Sequence, residues 1–164
     1  MHKIKKSALL RSIIAHIERE LGLSLAAART AAEGATNEQN KAENKYDTRG
    51  LELSYLATGQ SRQIAEAQAT LSQLQGLVLR DFQPHDPIDF GALITLDHPT
   101  EPQTPPAFYF LAPRGGGTEV RTAKHQVLVI TPQSPLGKQL IGRHVGASVQ
   151  LGPNTTAQRI AHIC

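Results

Sequence analysis

Residues 46–78 read YDTRGLELSYLATGQSRQIAEAQATLSQLQGLV, and within them Tyr46, Gly50, Leu53, Ala57, Gln60, Ile64, Ala67, Leu71, Leu74 and Val78 recur at alternating steps of four and three. A pattern held over more than four heptads is the narrow seam of a coiled coil. Gln60 is the polar member of the seam, and its reading is a register-setting or tolerated residue.

Working toward the N-terminus, a second helical stripe runs from about Ile4 to Glu33 through Leu10, Ile14, Ile17, Leu21, Leu25, Ala28 and Ala32. Gly22 sits inside it at a cost of about 1 kcal/mol relative to Ala without ending the pattern. Between the stripes, Gly34 to Lys41 combines a helix-stopping glycine with Thr, Asn and Gln side chains that favour turns. The expectation is a long antiparallel helical hairpin with an acidic and amide-rich tip from Thr36 to Asp47. Helices of this size reach on the order of 45 Å, too far to be buried along their length by a small domain, so the tip is expected to protrude.

Toward the C-terminus the pattern changes. Beyond Gly76 come short β-rich runs punctuated by Pro and Gly, and Pro84 and Pro87 mark a boundary, giving domains at 1–81 and 82–164. Candidate strands are Ala92–Leu96, Ala107–Leu111, Gln126–Thr131, Ala147–Leu151 and Ala157–Ile163. Ser134 suits a helix cap and Pro135 the first helical position, so one short helix is expected after the third strand. The fold class is α+β: the coiled-coil hairpin, then a small antiparallel β domain.

Composition narrows the function classes. No apolar run approaches the roughly 20 residues that span a bilayer, and no signal-like stretch opens the chain, so a cytoplasmic protein without membrane contact is expected. Cys164 is the one cysteine, which excludes an internal disulfide or CxxC metal site. With no Trp, four Phe and three Tyr, the core must be built mainly from Leu, Ile, Val and Ala. No acid follows Glu119, whereas Arg121, Lys124, Lys138, Arg143 and Arg159 do, an asymmetry that suits an acidic partner or nucleic acid as well as a merely solvated surface. The seven histidines lack helical ligand spacing and read as surface residues, with His85-Asp86 and Asp97-His98 in loops. Neither Gly115–Gly117 nor Gly137-Lys138 completes a phosphate loop.

Two segments resemble one family, the Gre transcript-cleavage and elongation factors that bind bacterial RNA polymerase. Thr131 to Gly146 (TPQSPLGKQLIGRHVG) is similar to that family's C-terminal signature: a strand ending at Ser-Pro, a short helix carrying Leu-Ile-Gly, and a Val-Gly turn opening the next strand. Ala42-Glu43-Asn44-Lys45-Tyr46-Asp47 resembles the Ser-Glu-Asn-Ala-Glu-Tyr stretch of the family's coiled-coil tip, with one residue fewer before the tyrosine. The resemblance implies an FKBP-like C-terminal domain docking at the rim of the polymerase secondary channel, with Ser134, Pro135, Lys138 and Arg143 as docking residues. It also implies a tip inside the channel, presenting Glu38, Asn40, Glu43, Asn44 and Asp47. Such a protein is an accessory factor, a monomer whose partner is RNA polymerase and whose contact with nascent RNA or DNA is made within the transcription complex.

In Gre factors, an Asp and a Glu three residues later at the tip help hold the second magnesium of the polymerase. A hard divalent cation takes oxygen ligands, and paired carboxylates supply both ligands and charge. Here Asn40 stands where the Asp is expected, leaving Glu43 as the metal ligand implied, with Glu38 or Asp47 as sources of a second charge. Glu43 and Asp47 also suit the start of a helix through its dipole. Mg2+ shared with the polymerase, and occupancy of the channel without cleavage, both remain open. Prolyl isomerase pockets are lined with aromatics, and with no Trp and so few rings isomerase activity is not expected. Lys41, Lys45 and Arg49 read equally as phosphate contacts and as a solvated face. The alternative class is a protein or nucleic-acid interaction module unrelated to RNA polymerase.

Overall fold

The computed structural model describes residues 4–36, 49–98, 103–122, 125–150 and 156–164. The chain is α+β, and it divides into two compact units, one comprising Met1–His16 with Gln73–Cys164, the other Ile17–Ser72.

Two long helices supply most of the second unit, α1 (Lys6–Thr36) and α2 (Arg49–Gln75). Gly22 lies inside α1 with open space around it, as expected of a tolerated glycine. Along α1 the buried positions are Leu9, Leu10, Ile13 and Ile17, and beyond Ile17 the shielded ones are Leu21, Ser24, Ala28 and Ala31, an alternation of four and three. This corrects the expected stripe at its distal end: Leu25 is 46% exposed and Ala32 is exposed. A 3.5-residue repeat continued from Leu21 falls on Ser24, and geometry decides over the greater hydrophobicity of Leu25. Along α2 the heptad positions Gln60, Ile64, Ala67, Leu71 and Leu74 are shielded as predicted, and so are Ala69 and Thr70, which lie outside the heptad. Val78 departs from the pattern at 82% exposed, because α2 has already ended at Gln75 and Leu77 N–H turns back to the Leu74 carbonyl.

The first unit is built on a six-stranded sheet: β1 (Leu93–Asp97), β2 (Ala107–Leu111), β3 (Glu119–Arg121), β4 (Gln126–Ile130), β5 (Ser148–Val149) and β6 (Gln158–Ile163), with the short helix α3 (Pro135–Leu140) between β4 and β5. Strand order is β3-β4-β2-β1-β6-β5. The sheet is mixed, not antiparallel as expected. From β2 the chain crosses to the far edge, runs as β3, and returns as β4 alongside β2, in parallel register from Phe108↔Val127 to Leu111↔Ile130. Glu-Val-Arg at β3 is too short to show a period of two, and without it β2 and β4 read as neighbours in a simple meander.

Both faces of the sheet are buried, so β1, β2 and β4 read as nearly continuous apolar runs. One face carries Ile94, Leu96, Leu111, Ile130, Ile160 and Ile163, packed with Phe82, Ile88, Leu136 and Leu140 in a single core. The other carries Leu93, Phe110, Val120, Val127 and Val129, all buried. Leu9, Leu10, Ile13 and Leu74 are buried within the same unit. No helix among the described residues is long and apolar enough to cross a membrane.

Candidate functional site

Thr131 to Gly146 connects the central sheet to its far edge, and every bend in it has a local cause. After β4, Ser134 N–H and Ser134 Oγ both donate to the Thr131 carbonyl, at 3.0 and 2.8 Å. The same Oγ accepts from Gly137 N–H at 3.0 Å, which makes Ser134 the N-cap of α3, with extended backbone and Pro135 at the first helical position. That is the capping arrangement expected of Ser-Pro.

Gly137 explains itself sterically. A Cβ there would lie 1.9 Å from the Thr131 carbonyl oxygen, so this turn of helix can approach the end of β4 only without a side chain. Leu136 and Leu140 then point into the core, while Lys138 faces out.

At its end the helix is closed by Ile141 N–H donating to the Gly137 carbonyl at 3.0 Å, and Gly142 takes the left-handed conformation at φ 73°. Gly142 N–H then donates to the Ile88 carbonyl and Ile88 N–H to the Arg143 carbonyl, each at 2.8 Å, so the turn is held by the loop that precedes β1. Gly146, at φ 91°, donates to the Ile160 carbonyl and leads into β5. Gln139 reaches the backbone of Gln150 in both directions, donating at 2.7 Å and accepting at 2.9 Å.

The exposed residues of this segment include Pro135, Lys138, Ile141, Arg143 and His144. Of the four docking residues expected from the sequence, Pro135, Lys138 and Arg143 are each exposed, and Ser134 is half-buried and caps α3. Ile141, exposed at 39%, adds an apolar contact that the sequence reading did not single out. Its signal was present in the Leu-Ile-Gly run, where one of two adjacent apolar residues has to face outward.

Not every cation in this half of the chain is available. Arg159 is bound to Asp97 through two contacts, at 2.7 and 3.3 Å, across the β1–β6 pairing, and this carboxylate holds the guanidinium pKa above its usual value. Asp97 accordingly ends a strand and does not lie in a loop as expected. His98 is half-buried, its Nδ1 buried with no hydrogen-bond partner among the described residues, and so is not the surface histidine expected; His85 and His144 are exposed. Among the described residues no group of three His, Cys, Asp or Glu could hold a metal ion.

Beside α3 lies a cleft of 420 Å³, lined by Tyr109, Gly116, Leu128, Thr131, Ser134 and Pro135 among others. Tyr109 is its one aromatic side chain, and burial raises the pKa of its hydroxyl above 10.0. The tip residues Glu38, Asn40, Glu43, Asn44 and Asp47, together with Lys41, Lys45 and Lys124, lie outside the described residues.

No family model and no curated protein matches the chain. Solved structures similar to it include the transcription factor Gfh1, at 16% identity over 93% of each chain and a TM-score of 0.39. GreA factor homolog 1 (Gfh1) of Thermus thermophilus is 19% identical over 92% of this chain and 94% of that one, with a TM-score of 0.37. Thermus aquaticus Gfh1 is 18% identical over 93% and 94%, with a TM-score of 0.36. These values describe a partial likeness.

Proposed function

We propose that the chain is a Gre-like accessory factor of RNA polymerase, with no catalytic centre of its own. The observation that carries this reading is the conformation of Thr131 to Gly146. Strand end, Ser-Pro cap, short helix and glycine turn follow one another in the order that the Gre signature implies, and Lys138 and Arg143 are both exposed in this segment. Exposed cations beside an apolar Ile141 suit docking against an acidic protein surface, where charge guides encounter and the apolar contact adds affinity.

In this reading α1 and α2 pair antiparallel as a coiled coil, an arrangement supported by matching 3.5-residue seams on both helices. The linking segment, residues 37–48, is then the tip placed in the secondary channel. Glu43 offers a hard oxygen ligand for a magnesium ion shared with the polymerase, while the neutral Asn40 amide is a far weaker partner than a carboxylate. That substitution favours a factor that occupies the channel with weak or no stimulation of transcript cleavage.

Binding to core RNA polymerase at physiological salt tests the docking. Lys138→Glu with Arg143→Glu is expected to weaken it at least about tenfold through charge reversal. Absence of binding by the unaltered chain overturns the proposal and favours an unrelated interaction module. On backtracked complexes, little shortening of the transcript is expected, and Asn40→Asp should increase it; if Asn40→Asp leaves cleavage unchanged, Asn40 is not the residue that limits magnesium binding.

A further inference from the structure

The two edges of the sheet are built alike and finished differently. The sheet ends in β3 on one side and β5 on the other, and each is a short strand entered through a glycine in the left-handed conformation, Gly117 and Gly146, both at φ 91°. Gly117 N–H donates to the Val129 carbonyl and the Thr118 carbonyl accepts from Val129 N–H. Gly146 N–H and the Ala147 carbonyl do the same with Ile160. Each entry is therefore a glycine bulge, which sets the direction of every amide that follows.

Backbone groups alternate along a strand between its two sides. With the Thr118 carbonyl turned toward β4, Val120 opposite Val127, and Thr122 N–H donating to the His125 carbonyl at 2.8 Å, the N–H and carbonyl of Glu119 and of Arg121 point away from the sheet. By the same alternation Gln150, next after Val149, turns its backbone outward at the other edge. There the chain closes the edge itself. The Gln139 amide donates to the Gln150 carbonyl at 2.7 Å and accepts from Gln150 N–H at 2.9 Å, as a neighbouring strand would. Among the described residues, no group does this for Glu119 and Arg121.

The side chains of Glu119 and Arg121 are exposed, and Val120 between them is buried. One Glu119 oxygen accepts from the Gln126 amide at 2.5 Å, and Arg121 has no ion-pair partner among the described residues. Laid antiparallel against itself about Val120, Glu-Val-Arg sets Glu119 opposite Arg121 and Arg121 opposite Glu119. The register that matches the charges also matches the outward amides.

We infer that β3 pairs antiparallel with β3 of a second copy about a twofold axis at Val120, joining two sheets into one. Glu119 and the partner's Arg121 exchange both backbone hydrogen bonds and bring opposite charges face to face, and the symmetry repeats the pair. Charges on an edge strand repel an added strand when they meet their own sign; here each meets its opposite. Any extended segment can use outward amides, but a triplet that is its own charge complement selects a copy of the same chain. Three residues a side make a small interface, so association is expected at about 0.1 to 1 mM, and a dilute chain is a monomer.

Sedimentation equilibrium of the full chain from about 10 µM to about 1 mM should show a dimer at the upper end, and amide exchange at Glu119 and Arg121 should slow as concentration rises. Glu119→Arg and Arg121→Glu each set like charges opposite one another, and each should weaken self-association at least about tenfold. An equimolar mixture of the two variants should associate again, because each then meets the opposite sign across the axis. Such a rescue separates lost complementarity from a damaged fold, and both positions are exposed. A chain that stays monomeric at about 1 mM overturns the proposal, as does a dimer indifferent to both substitutions, which rests on another surface. A mixture that fails to associate overturns it too. So does slow exchange at Glu119 and Arg121 in the dilute monomer, since the edge is then covered within the chain.

Discussion

The sheet unit and the helical unit bury their side chains to very different depths. In the sheet, Ile94, Leu96, Phe110, Val127, Val129 and Ile160 are fully buried, and both faces are covered. Within Ile17–Ser72, none of the described residues is fully buried; Ile17 at 6% and Thr70 at 9% come nearest, and the other described seam positions are half-shielded. The sheet unit is therefore held by close packing, where a change of one methylene is felt. The helical unit relies on a narrow stripe, on helix propensity and on length.

The sharpest test of close packing is Gly137→Ala. The added methyl meets the Thr131 carbonyl oxygen at 1.9 Å, and that atom also accepts two hydrogen bonds from Ser134, so relaxation has to break the cap of α3. A loss of about 3 kcal/mol is expected, measured by urea unfolding followed by circular dichroism. If the loss stays below about 1 kcal/mol, the turn is softer than the rest of the sheet unit and the contrast between the units weakens.

A matched pair of deletions measures the same contrast more directly. Ile160→Ala removes a fully buried side chain from the centre of the sheet core and should cost about 3 to 4 kcal/mol. Ile64→Ala removes the same atoms from a half-shielded seam and should cost about 1 kcal/mol. Equal costs for the two would show that the helical unit is as well packed as the sheet.

The same difference governs how much could be read in advance. The seam of α2 was legible residue by residue at Gln60, Ile64, Ala67, Leu71 and Leu74 because a single periodicity fixes all of them together. In α1 the same rule was overridden by the apparent hydrophobicity of Leu25, and the reading slipped by one residue. In the sheet, period two was masked by burial on both faces, so strands were found but their pairing was not. The parallel β2–β4 ladder depends on β3, three residues long, which carries too little pattern to be seen. The capped helix at Ser134 was legible because caps are local chemistry. A second cleft, lined by residues 4–7, 79–81 and 164, was not, because these residues become neighbours only through the fold.

The smallest expected effect is the most informative about the helical unit. Gln60 occupies a seam position, and its Oε1 is buried without a hydrogen-bond partner among the described residues. An unpaired buried amide oxygen has lost its water without replacement, a cost of about 1 to 3 kcal/mol that close packing around it cannot recover. Gln60→Leu removes that cost and extends the apolar stripe, so it should stabilise the chain by about 1 kcal/mol and raise the thermal midpoint. The gain should come at the expense of register, because a uniform apolar seam allows neighbouring alignments of similar energy that a polar residue disfavours. Cysteine pairs introduced on α1 and α2 in a Cys164→Ser background can read that register: they should crosslink in one alignment with Gln60 present and in more than one with Leu at that position. Stabilisation without any spread in crosslinking would make Gln60 a tolerated residue. A loss of stability would instead mean that its amide finds a partner in solution, and that the helical unit is more tightly specified than its exposure implies.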